Sequence, residues 1–472
     1  MENIMAKSQI HKKLAFASAD IFGGGSFNII NFLYPGFLAL TVGISPYWIG
    51  VIVLVARIWD AITDPLMGYI SDHTSSKFGK RRIYLIIASP LVLLSMYFLF
   101  FPYGFSSLAL RVIATLGSYL VFTTVQTMIM IPYYSLSSEI SSQYQERASY
   151  NSYRLGFSIF ASILCVAVPG IIVGMFGDET IGYQVMSLSF GLIFGLSVLF
   201  TGLFAKEEIQ TPKVTTKFSV RALVKPLSLK PFRQYLGMFL VLQMSMAIMS
   251  GLFFFYIDFF IVKDLTAQGE GTMVGLIAAA LMFSMQIVAL PVYLSVIAKK
   301  GKTFAYRLGG MLWIITALGI LLIPANASPI FVYLLGGLMG FGISGPGLVP
   351  HTMYGDVVDA GQLKFKDRLD GQMSGFTNFI NKIAQAIGLS FVMFLIGAAG
   401  FQEQILGGAQ VVSQPESATL MIRLIMAFAP LIFMSIGIII SYRYKIDAEK
   451  QKQIHDAIQR DEIHTENILS SL

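Results

Sequence analysis

Two acidic residues lie four positions apart inside one of the most apolar regions of the chain. They are Asp60 and Asp64 in the segment RIWDAITDPLMGY, residues 57–69, and apolar sequence runs from Pro46 to this segment and resumes at Ile83. On a helix, residues at i and i+4 project from the same face, so the two carboxylates would be neighbours. Two like charges in an apolar setting are costly, and a cation bound between them removes that cost. The pair therefore predicts a site for a mobile cation.

The depth of the pair sharpens this prediction. Counting back from Asp72 at the expected cytoplasmic edge, Asp64 lies roughly 12 Å deep and Asp60 roughly 18 Å deep, at ~1.5 Å per residue. A charged side chain at the centre of a bilayer costs ~2.5–3.5 kcal/mol on insertion scales. The alternative is a permanent ion pair, because Arg57 precedes Asp60 by three residues and Lys382 lies at a similar expected depth.

The composition places these residues in a membrane protein. The chain has 472 residues, of which 55% are hydrophobic and 12% charged, with a mean hydropathy of +0.69. Soluble domains carry about twice that charged fraction. Apolar runs of about 20 residues, long enough to cross a hydrocarbon core, recur along the whole length. The fold class predicted is an all-α polytopic membrane protein.

Other classes of function find little support in the sequence. The net charge of +7 is expected from basic cytoplasmic loops and does not indicate nucleic acid. The five histidines lie far apart, so no metal site and no cofactor are expected, and Cys165 is the only cysteine. Gly301-Lys302-Thr303 resembles the end of a phosphate loop, but Val296 stands where that motif needs glycine. No enzyme is predicted, and transport is expected to be driven by an ion.

Twelve transmembrane helices are predicted. Basic residues occupy alternate connections, for example 77–82, 206–233 and 299–302, whereas the connections between them are neutral or acidic. By the positive-inside rule, both termini are cytoplasmic, in a bacterial inner or plasma membrane. The chain is expected to function as a monomer in the bilayer. The predicted spans are 14–42, 46–71, 83–103, 108–138, 151–177, 183–205, 234–262, 272–298, 304–324, 329–355, 372–400 and 417–442.

The chain divides into two similar halves around its longest basic connection. The segment SKFGKRRIYLI after span two is similar to AKKGKTFAYRL after span eight. PYYSLSSEISSQYQER at the end of span four is similar to PHTMYGDVVDAGQLKFKDR at the end of span ten. Two pseudo-symmetric six-helix bundles predict a transporter that rocks around a central substrate site. The predicted parts are a bundle at 1–205, a cytoplasmic loop at 206–233, a bundle at 234–442 and a cytoplasmic tail at 443–472.

A second group of charges lies at the cytoplasmic helix ends. Asp72 with Lys80 and Arg81 is predicted to form a latch that breaks when the halves rock, and Glu139 and Arg147 could join it. The alternative is ordinary positive-inside charge.

Three motifs resemble one known family. GYISDHTSSKFGKRR looks like the loop between spans two and three of major facilitator transporters. ARIWDAITDPLMGYISD closely resembles the second helix of the glycoside–pentoside–hexuronide:cation symporters, the melibiose permease family. IPYYSLSSEISSQYQERASYNSYR and GDVVDAGQLKFKDRLDGQMSGFTNFINKIAQAIG match the same family after spans four and ten. The resemblance covers most of spans one to eleven and implies the major facilitator fold.

The resemblance also implies roles at the cation site. Asp60 and Asp64 match the family's cation-site carboxylates, and Thr127 matches a hydroxyl that helps to select Na+. Thr63 stands where melibiose permeases have asparagine, so Na+ and H+ both stay open as the coupling ion. Lys382 matches a lysine that lies between the cation and sugar sites, and we expect it to couple them.

For the substrate, the resemblance implies a sugar site. Arg154 matches an arginine that hydrogen-bonds the sugar, and Tyr134 matches an aromatic residue beside it. Alternatively, Arg154 is an ordinary arginine at the membrane interface, and Tyr134 is a tyrosine near the interface with no role in binding. Gln126 and Asn378 are further candidate substrate-binding residues.

The sequence departs from melibiose permease at two substrate positions. Gly24 and Met130 stand where that protein has carboxylates that grip sugar hydroxyls, and Asp20 lies one helical turn before Gly24. The site loses two acids and keeps Arg154 and Lys382. This favours an anionic or larger sugar, such as a hexuronide or an oligosaccharide.

The function predicted is cation-coupled sugar symport, in which a glycoside, oligosaccharide or hexuronide enters by alternating access. A lipid or lysolipid transporter of the same fold is the first alternative, since Arg154 and Lys382 could face a headgroup. A membrane sensor that does not transport is the second, and the complete set of Asp60, Asp64 and Lys382 argues against it.

Overall fold

The structure is a computed structural model that describes residues 2–140, 144–205, 225–261, 268–324, 327–366, 369–403 and 414–459. Within these ranges the regular structure is helical, and they contain no β-strand. The chain divides into two compact units, Met1–Thr216 with Ile396–Pro415 and Lys217–Leu395 with Glu416–Leu472. The predicted middle loop lies outside the described residues over 206–224, and the predicted domain boundaries stay predictions.

The first unit is built from seven helices among its described residues. α2 continues into a π-helical turn at Phe37–Thr41. The helices are α1 (Glu2–Ala17), α2 (Asp20–Gly36), α3 (Pro46–His73), α4 (Arg82–Leu99), α5 (Leu108–Glu139), α6 (Tyr144–Gly174) and α7 (Glu179–Phe204).

The second unit repeats this arrangement. α8 also continues into a π-helical turn, at Ile257–Ile261, and the predicted cytoplasmic tail begins with a short helix. The helices are α8 (Lys230–Tyr256), α9 (Gln268–Lys300), α10 (Lys302–Gly319), α11 (Pro329–Phe365), α12 (Asp370–Ala398), α13 (Glu416–Arg443) and α14 (Ala448–Gln459).

Helices α2–α13 correspond one to one with the twelve predicted spans. Of the helices in the described residues, ten are long and apolar enough to cross a membrane, and these are α4–α13. α3 is 28 residues long, which is about 42 Å at 1.5 Å per residue. The all-α polytopic class is confirmed, and the membrane crossing of α2 and α3 stays a prediction.

The two similar connections share a backbone turn. Gly79, shortly before α4, has a φ of 109°, and Gly301, directly before α10, has a φ of 88°. Glycine adopts positive φ without a steric penalty, and a side chain at either position would be strained. A lysine follows each glycine, Lys80 and Lys302. The repeat seen in the sequence therefore extends to the local backbone.

Helix α3 is fixed at its start and along its length. Ser45 is extended, and Pro46 occupies the first turn, where its missing N–H costs nothing. Along the helix, the Trp59 Nε1 donates to the Thr124 Oγ1 of α5 at 2.9 Å. These contacts hold the face that carries the two acids against α5.

Helix α2 packs unusually closely on α6. A Cβ atom built on Gly24 would lie 2.4 Å from the Ser158 Oγ and 2.9 Å from the Ser158 carbonyl oxygen. Real Cβ atoms essentially never approach neighbours so closely. Gly24 therefore sets the distance between α2 and α6.

Candidate functional site

Asp60 lies inside the first unit with its carboxylate shielded from solvent. Its relative exposure is 1%. The Arg57 Nη1 donates to the Asp60 Oδ2 at 3.3 Å across one turn of α3. Tight charge-assisted hydrogen bonds between such groups are ~2.7–2.9 Å long. The geometry is thus a loose ion pair, in which Arg57 neutralises the carboxylate without gripping it in a short bidentate contact.

Asp64 lies one turn further along α3 and is half-buried. The Thr127 Oγ1, buried on α5, donates to the Asp64 Oδ1 at 2.8 Å. A hydroxyl that donates its hydrogen keeps its lone pairs, which can still face a cation. Asp64 and Thr127 therefore offer carboxylate and hydroxyl oxygens at one place, although 63 residues separate them in sequence.

Thr63 is held by its own helix. Its Oγ1 donates to the Trp59 carbonyl oxygen at 3.1 Å and approaches the Asp60 carbonyl oxygen at 3.5 Å. This is the local bond expected of a threonine within a helix. Because only the hydrogen is used, the hydroxyl oxygen keeps its lone pairs.

A second cluster forms where α2, α5 and α6 meet. The Arg154 Nε lies 4.0 Å from the Asp20 Oδ2, and the Arg154 guanidinium lies over the Tyr134 ring at 5.4 Å from its centroid. Asp20 is buried, whereas Arg154 is half-buried and Tyr134 exposed. An arginine, a carboxylate and an aromatic face together can bind a polar molecule through hydrogen bonds and stacking.

Two other predicted substrate positions border this cluster. Met130 is buried, and its Cε would lie 2.5 Å from a Cβ built on Gly23. The same Cβ would lie 2.6 Å from the Asp20 Oδ1. Glycine at position 23 thus makes room for both Met130 and Asp20, while Gly24 serves the contact between α2 and α6.

The remaining predicted substrate and coupling residues are distributed over both units. The Gln126 Nε2 donates to the Ser26 Oγ at 3.3 Å and so connects α5 with α2 in the first unit. Asn378, which is exposed, and Lys382, which is half-buried, lie on α12 in the second unit.

The predicted latch contains a partly buried ion pair. Arg81 is buried and forms a short ion pair with Asp72 through its Nη2, while its Nη1 donates to the Ser71 Oγ at 2.6 Å. Lys80 is half-buried beside them. The side chains of the other two predicted members, Glu139 and Arg147, lie outside the described residues.

The second unit carries a related pair. Lys302 Nζ forms a short ion pair with Asp356 and also donates to the Thr352 carbonyl oxygen at 2.9 Å. In the sequence, Lys302 resembled part of a phosphate loop. In the structure, its ammonium ties the start of α10 to α11.

Sequence reasoning missed a cluster of three amides in the second unit. Gln243 of α8 donates through its Nε2 to the Asn381 Oδ1 of α12 in a short hydrogen bond, and the Gln385 Nε2 donates to the same oxygen at 2.8 Å. Its sequence signal is the spacing of Asn381 and Gln385 by one turn beside Lys382.

An apolar groove lies beside the arginine cluster. It has a volume of about 560 Å³ and lies between α1, α2 and α6. Its lining includes Leu14, Ile21, Tyr153, Phe157 and Phe160. The groove is large enough for part of an alkyl chain, and its lining residue Tyr153 directly precedes Arg154 on α6.

Comparisons with known proteins agree on a transporter. A family model described as MFS/sugar transport protein matches residues 15–448. A Xenopus tropicalis protein named sodium-dependent lysophosphatidylcholine symporter 1 is 25% identical, over 96% of this chain and 90% of that relative. A Synechocystis sp. protein named uncharacterized symporter sll1374 is 26% identical, over 96% of this chain and 98% of that relative.

Solved structures share the fold at low sequence identity. A bacterial homologue of the human lysosomal transporter Spinster, inward-facing and unoccupied, aligns with a TM-score of 0.63 at 10% identity, over 93% of this chain and 97% of that one. The nucleoside transporter NupG aligns with a TM-score of 0.58 at 12% identity, over 92% of this chain and 98% of that one.

Proposed function

This chain belongs to the MFS/sugar transport protein family, and we propose that it is a cation-coupled symporter whose coupling ion binds at Asp60, Asp64 and Thr127. The family resemblance carried by its sequence motifs is confirmed, and so is the major facilitator fold. The observation that carries the proposal is the Thr127 hydroxyl on the Asp64 carboxylate, one turn from the buried Asp60.

The proposed coupling ion is Na+. Relatives of this chain are named sodium-dependent symporters, which supports Na+ for this one. The oxygen set supports it as well, because Na+ needs several oxygen ligands whereas a proton needs a single carboxylate oxygen. Thr127 and Thr63 would add neutral oxygens to the two carboxylates. A bound Na+ would compete with Arg57 for Asp60 and relieve the cost of a second buried charge.

We assign the coupling step to Lys382 and the cytoplasmic closure to the latch. An ammonium at membrane depth is stabilised by nearby anionic groups, so its interactions would change when the cation or substrate binds. The ion pair of Asp72 and Arg81, with Lys80, would hold one state of the transport cycle. On the positive-inside pattern, we propose that both termini are cytoplasmic, and that the protein works as a monomer.

For the substrate, we propose a sugar, and in particular an anionic or larger one. Arg154 could bind paired hydroxyls or a carboxylate through its planar guanidinium, and Tyr134 offers a ring face for the apolar side of a pyranose. The absence of carboxylates at Gly24 and Met130 reduces repulsion of a negatively charged substrate. Asp20 near Arg154 would keep that arginine oriented until the substrate arrives.

A lysolipid is the second candidate, and two observations favour it. The groove between α1, α2 and α6 is apolar and could hold an alkyl chain. Arg154 directly follows the lining residue Tyr153 on α6, and its guanidinium could bind an anionic headgroup. Among the relatives of this chain are sodium-dependent lysophosphatidylcholine symporters.

A transport assay with a panel of compounds distinguishes the two candidate substrate classes, sugar and lysolipid. Purified protein is reconstituted in liposomes, which are loaded with melibiose, cellobiose, methyl β-glucuronide or lysophosphatidylcholine. Counterflow of the labelled compound is measured with and without Na+. We expect Na+-stimulated counterflow of at least one sugar. Counterflow of lysophosphatidylcholine alone would support the second candidate and contradict the first.

Thr127→Ala should weaken cation binding, while the variant still folds and inserts into the membrane. Loss of a hydrogen bond to a charged group costs ~1.5–3 kcal/mol, so the Na+ concentration for half-maximal transport should rise about tenfold or more. The measurement is the Na+ dependence of transport in liposomes.

The matched control is Thr123→Ala. Thr123 is also buried on α5, and its hydroxyl donates to the Leu120 carbonyl oxygen of the same helix at 3.1 Å. Its loss should leave the Na+ dependence unchanged. Equal effects of the two variants would mean that α5 packing, and not cation binding, explains the contact with Asp64.

A further inference from the structure

Four polar residues form one stripe along α12. Asn378, Asn381, Lys382 and Gln385 lie at i, i+3, i+4 and i+7, which places them on one face of the helix. Such residues in the apolar part of a membrane helix are expensive, and they almost always face the protein interior or a water-filled cavity.

Two of the exposed apolar residues of α12, Ile387 and Phe391, lie on the face opposite the stripe, whereas a third, Phe379, lies beside it. Ile387 is 47% exposed and Phe391 is 53% exposed. At about 100° per residue, both lie roughly 140–220° around the helix from Asn378 and Lys382. These apolar side chains suit the lipid, so the polar stripe faces away from it. Because Asn378 is itself exposed and Lys382 half-buried, part of the stripe is accessible to solvent.

The amides on the stripe are connected to α8. The Asn381 Oδ1 accepts from both Gln243 and Gln385, which uses both lone pairs of that oxygen. The two donors use one N–H each. The Asn381 side-chain N–H groups and the side-chain carbonyl oxygens of both glutamines are not used within this network and can bind other groups.

Close packing fixes this network in place. A Cβ built on Gly388 would lie 3.2 Å from the Met244 carbonyl oxygen, and one built on Gly251 would lie 2.2 Å from the Leu389 Cδ1. Backbone and side-chain contacts thus already join α8 to α12 without the amides. Helix association alone does not require three amides on a face that is partly exposed.

We propose that Gln243, Asn381 and Gln385 form a carbohydrate subsite that binds sugar hydroxyls next to Lys382. The inference rests on the proposed symport function and names the chemistry of its substrate. A hydroxyl both donates and accepts a hydrogen bond, and an amide cluster offers both kinds of group at fixed positions. A site built to hydrogen-bond hydroxyls discriminates strongly against molecules that lack them, because its buried polar groups are then unpaired.

The subsite also assigns separate tasks to neighbouring residues. Lys382 is the cationic group of the stripe and can sense the charge of a bound ion or substrate. The amides carry no net charge, so they contribute to recognition of hydroxyls and little to cation affinity. Sugar affinity and cation affinity should therefore respond differently to their replacement.

The test replaces Asn381 with leucine, which has a similar volume and no polar group. We measure half-saturating concentrations of melibiose, cellobiose and methyl β-glucuronide in counterflow, together with Na+ dependence and thermal stability. For Asn381→Leu, we expect the half-saturating sugar concentration to increase about tenfold and the Na+ dependence to stay unchanged. Gln243→Leu, on the other helix, should act in the same direction if Asn381→Leu does not fold.

The matched control is Ser344→Ala. The Ser344 Oγ donates to the Gln286 carbonyl oxygen at 2.8 Å and joins α11 to α9 in the same unit, away from the stripe. It should change thermal stability only. If Asn381→Leu and Gln243→Leu behave as this control does, the amides join helices and the subsite does not exist.

Other results would contradict the proposed function independently of the amide subsite. If no sugar in the panel is carried while lysophosphatidylcholine is, the subsite is refuted and the cation site survives. If Na+ dependence persists after Asp60→Asn, the cation site is refuted whatever the amide variants do.

Discussion

Replacing Asp60 with asparagine should abolish Na+-driven accumulation of substrate. Asp60 is buried and its carboxylate is held at one oxygen by Arg57. The substitution removes a charged ligand and leaves the Arg57 guanidinium without its anionic partner. Without the Asp60 carboxylate, and with the Arg57 guanidinium still beside the site, cation binding should lose about 3 kcal/mol, which lowers the apparent Na+ affinity about 100-fold.

The measurement compares two activities of the same liposomes. Accumulation against a substrate gradient requires the cation, whereas exchange of substrate across the membrane at equal concentrations does not. We therefore expect Asp60→Asn to lose accumulation and to retain part of the exchange. Loss of both activities with an intact thermal transition would place Asp60 in substrate binding instead.

Asp178→Asn serves as the matched control. Asp178 belongs to the same unit, but it is exposed and caps α7 by accepting from the Thr180 N–H at 2.8 Å. The same chemical change there should leave the coupling intact. Normal accumulation by Asp60→Asn, equal to that of the control, would contradict the assignment of the cation site.

The helices could largely be predicted from the sequence because lipid requires continuous apolar runs. Span four was predicted at 108–138, and α5 is Leu108–Glu139. The prediction ended span ten at 355, whereas α11 continues to Phe365. Its last ten residues are mixed in polarity, so an apolar run marks the part within the membrane and does not mark the end of the helix.

The first span was predicted as one segment at 14–42, but α1 ends at Ala17 and α2 begins at Asp20. Of the two residues between them, Ser18 donates to the Ser197 carbonyl oxygen of α7 and contacts Thr201. Such an interruption depends on a partner nearly 180 residues away, and local sequence patterns do not contain it.

The same limit applies to the candidate site. The neighbourhood of Arg57, Asp60 and Asp64 follows from helical spacing alone, and the sequence indicated it directly. The contact of Thr127 with Asp64 depends on how α3 meets α5, so only the family resemblance pointed to Thr127. Gln243 and Asn381 are 138 residues apart in the sequence, and no motif indicated their contact.

Arg57→Met should distinguish a cation site from a permanent ion pair. Methionine keeps the length of the side chain and removes its charge, so the buried Asp60 and the half-buried Asp64 lack the guanidinium. In Na+-free buffer, loss of the ion pair between Arg57 and Asp60 should lower the thermal transition by several degrees. Because a ligand that binds the folded state stabilises it by mass action, Na+ should then stabilise Arg57→Met more than the wild type.

The double variant Arg57→Met/Asp60→Asn supplies the control, because it removes both charges of the pair. It should recover stability in Na+-free buffer and should lose most of its response to Na+. If the pair is purely structural, the double variant will still recover stability, but Na+ will not stabilise Arg57→Met. The response of the single variant to Na+ is therefore the decisive measurement, since only a cation that binds among the carboxylates can replace the positive charge that arginine provided.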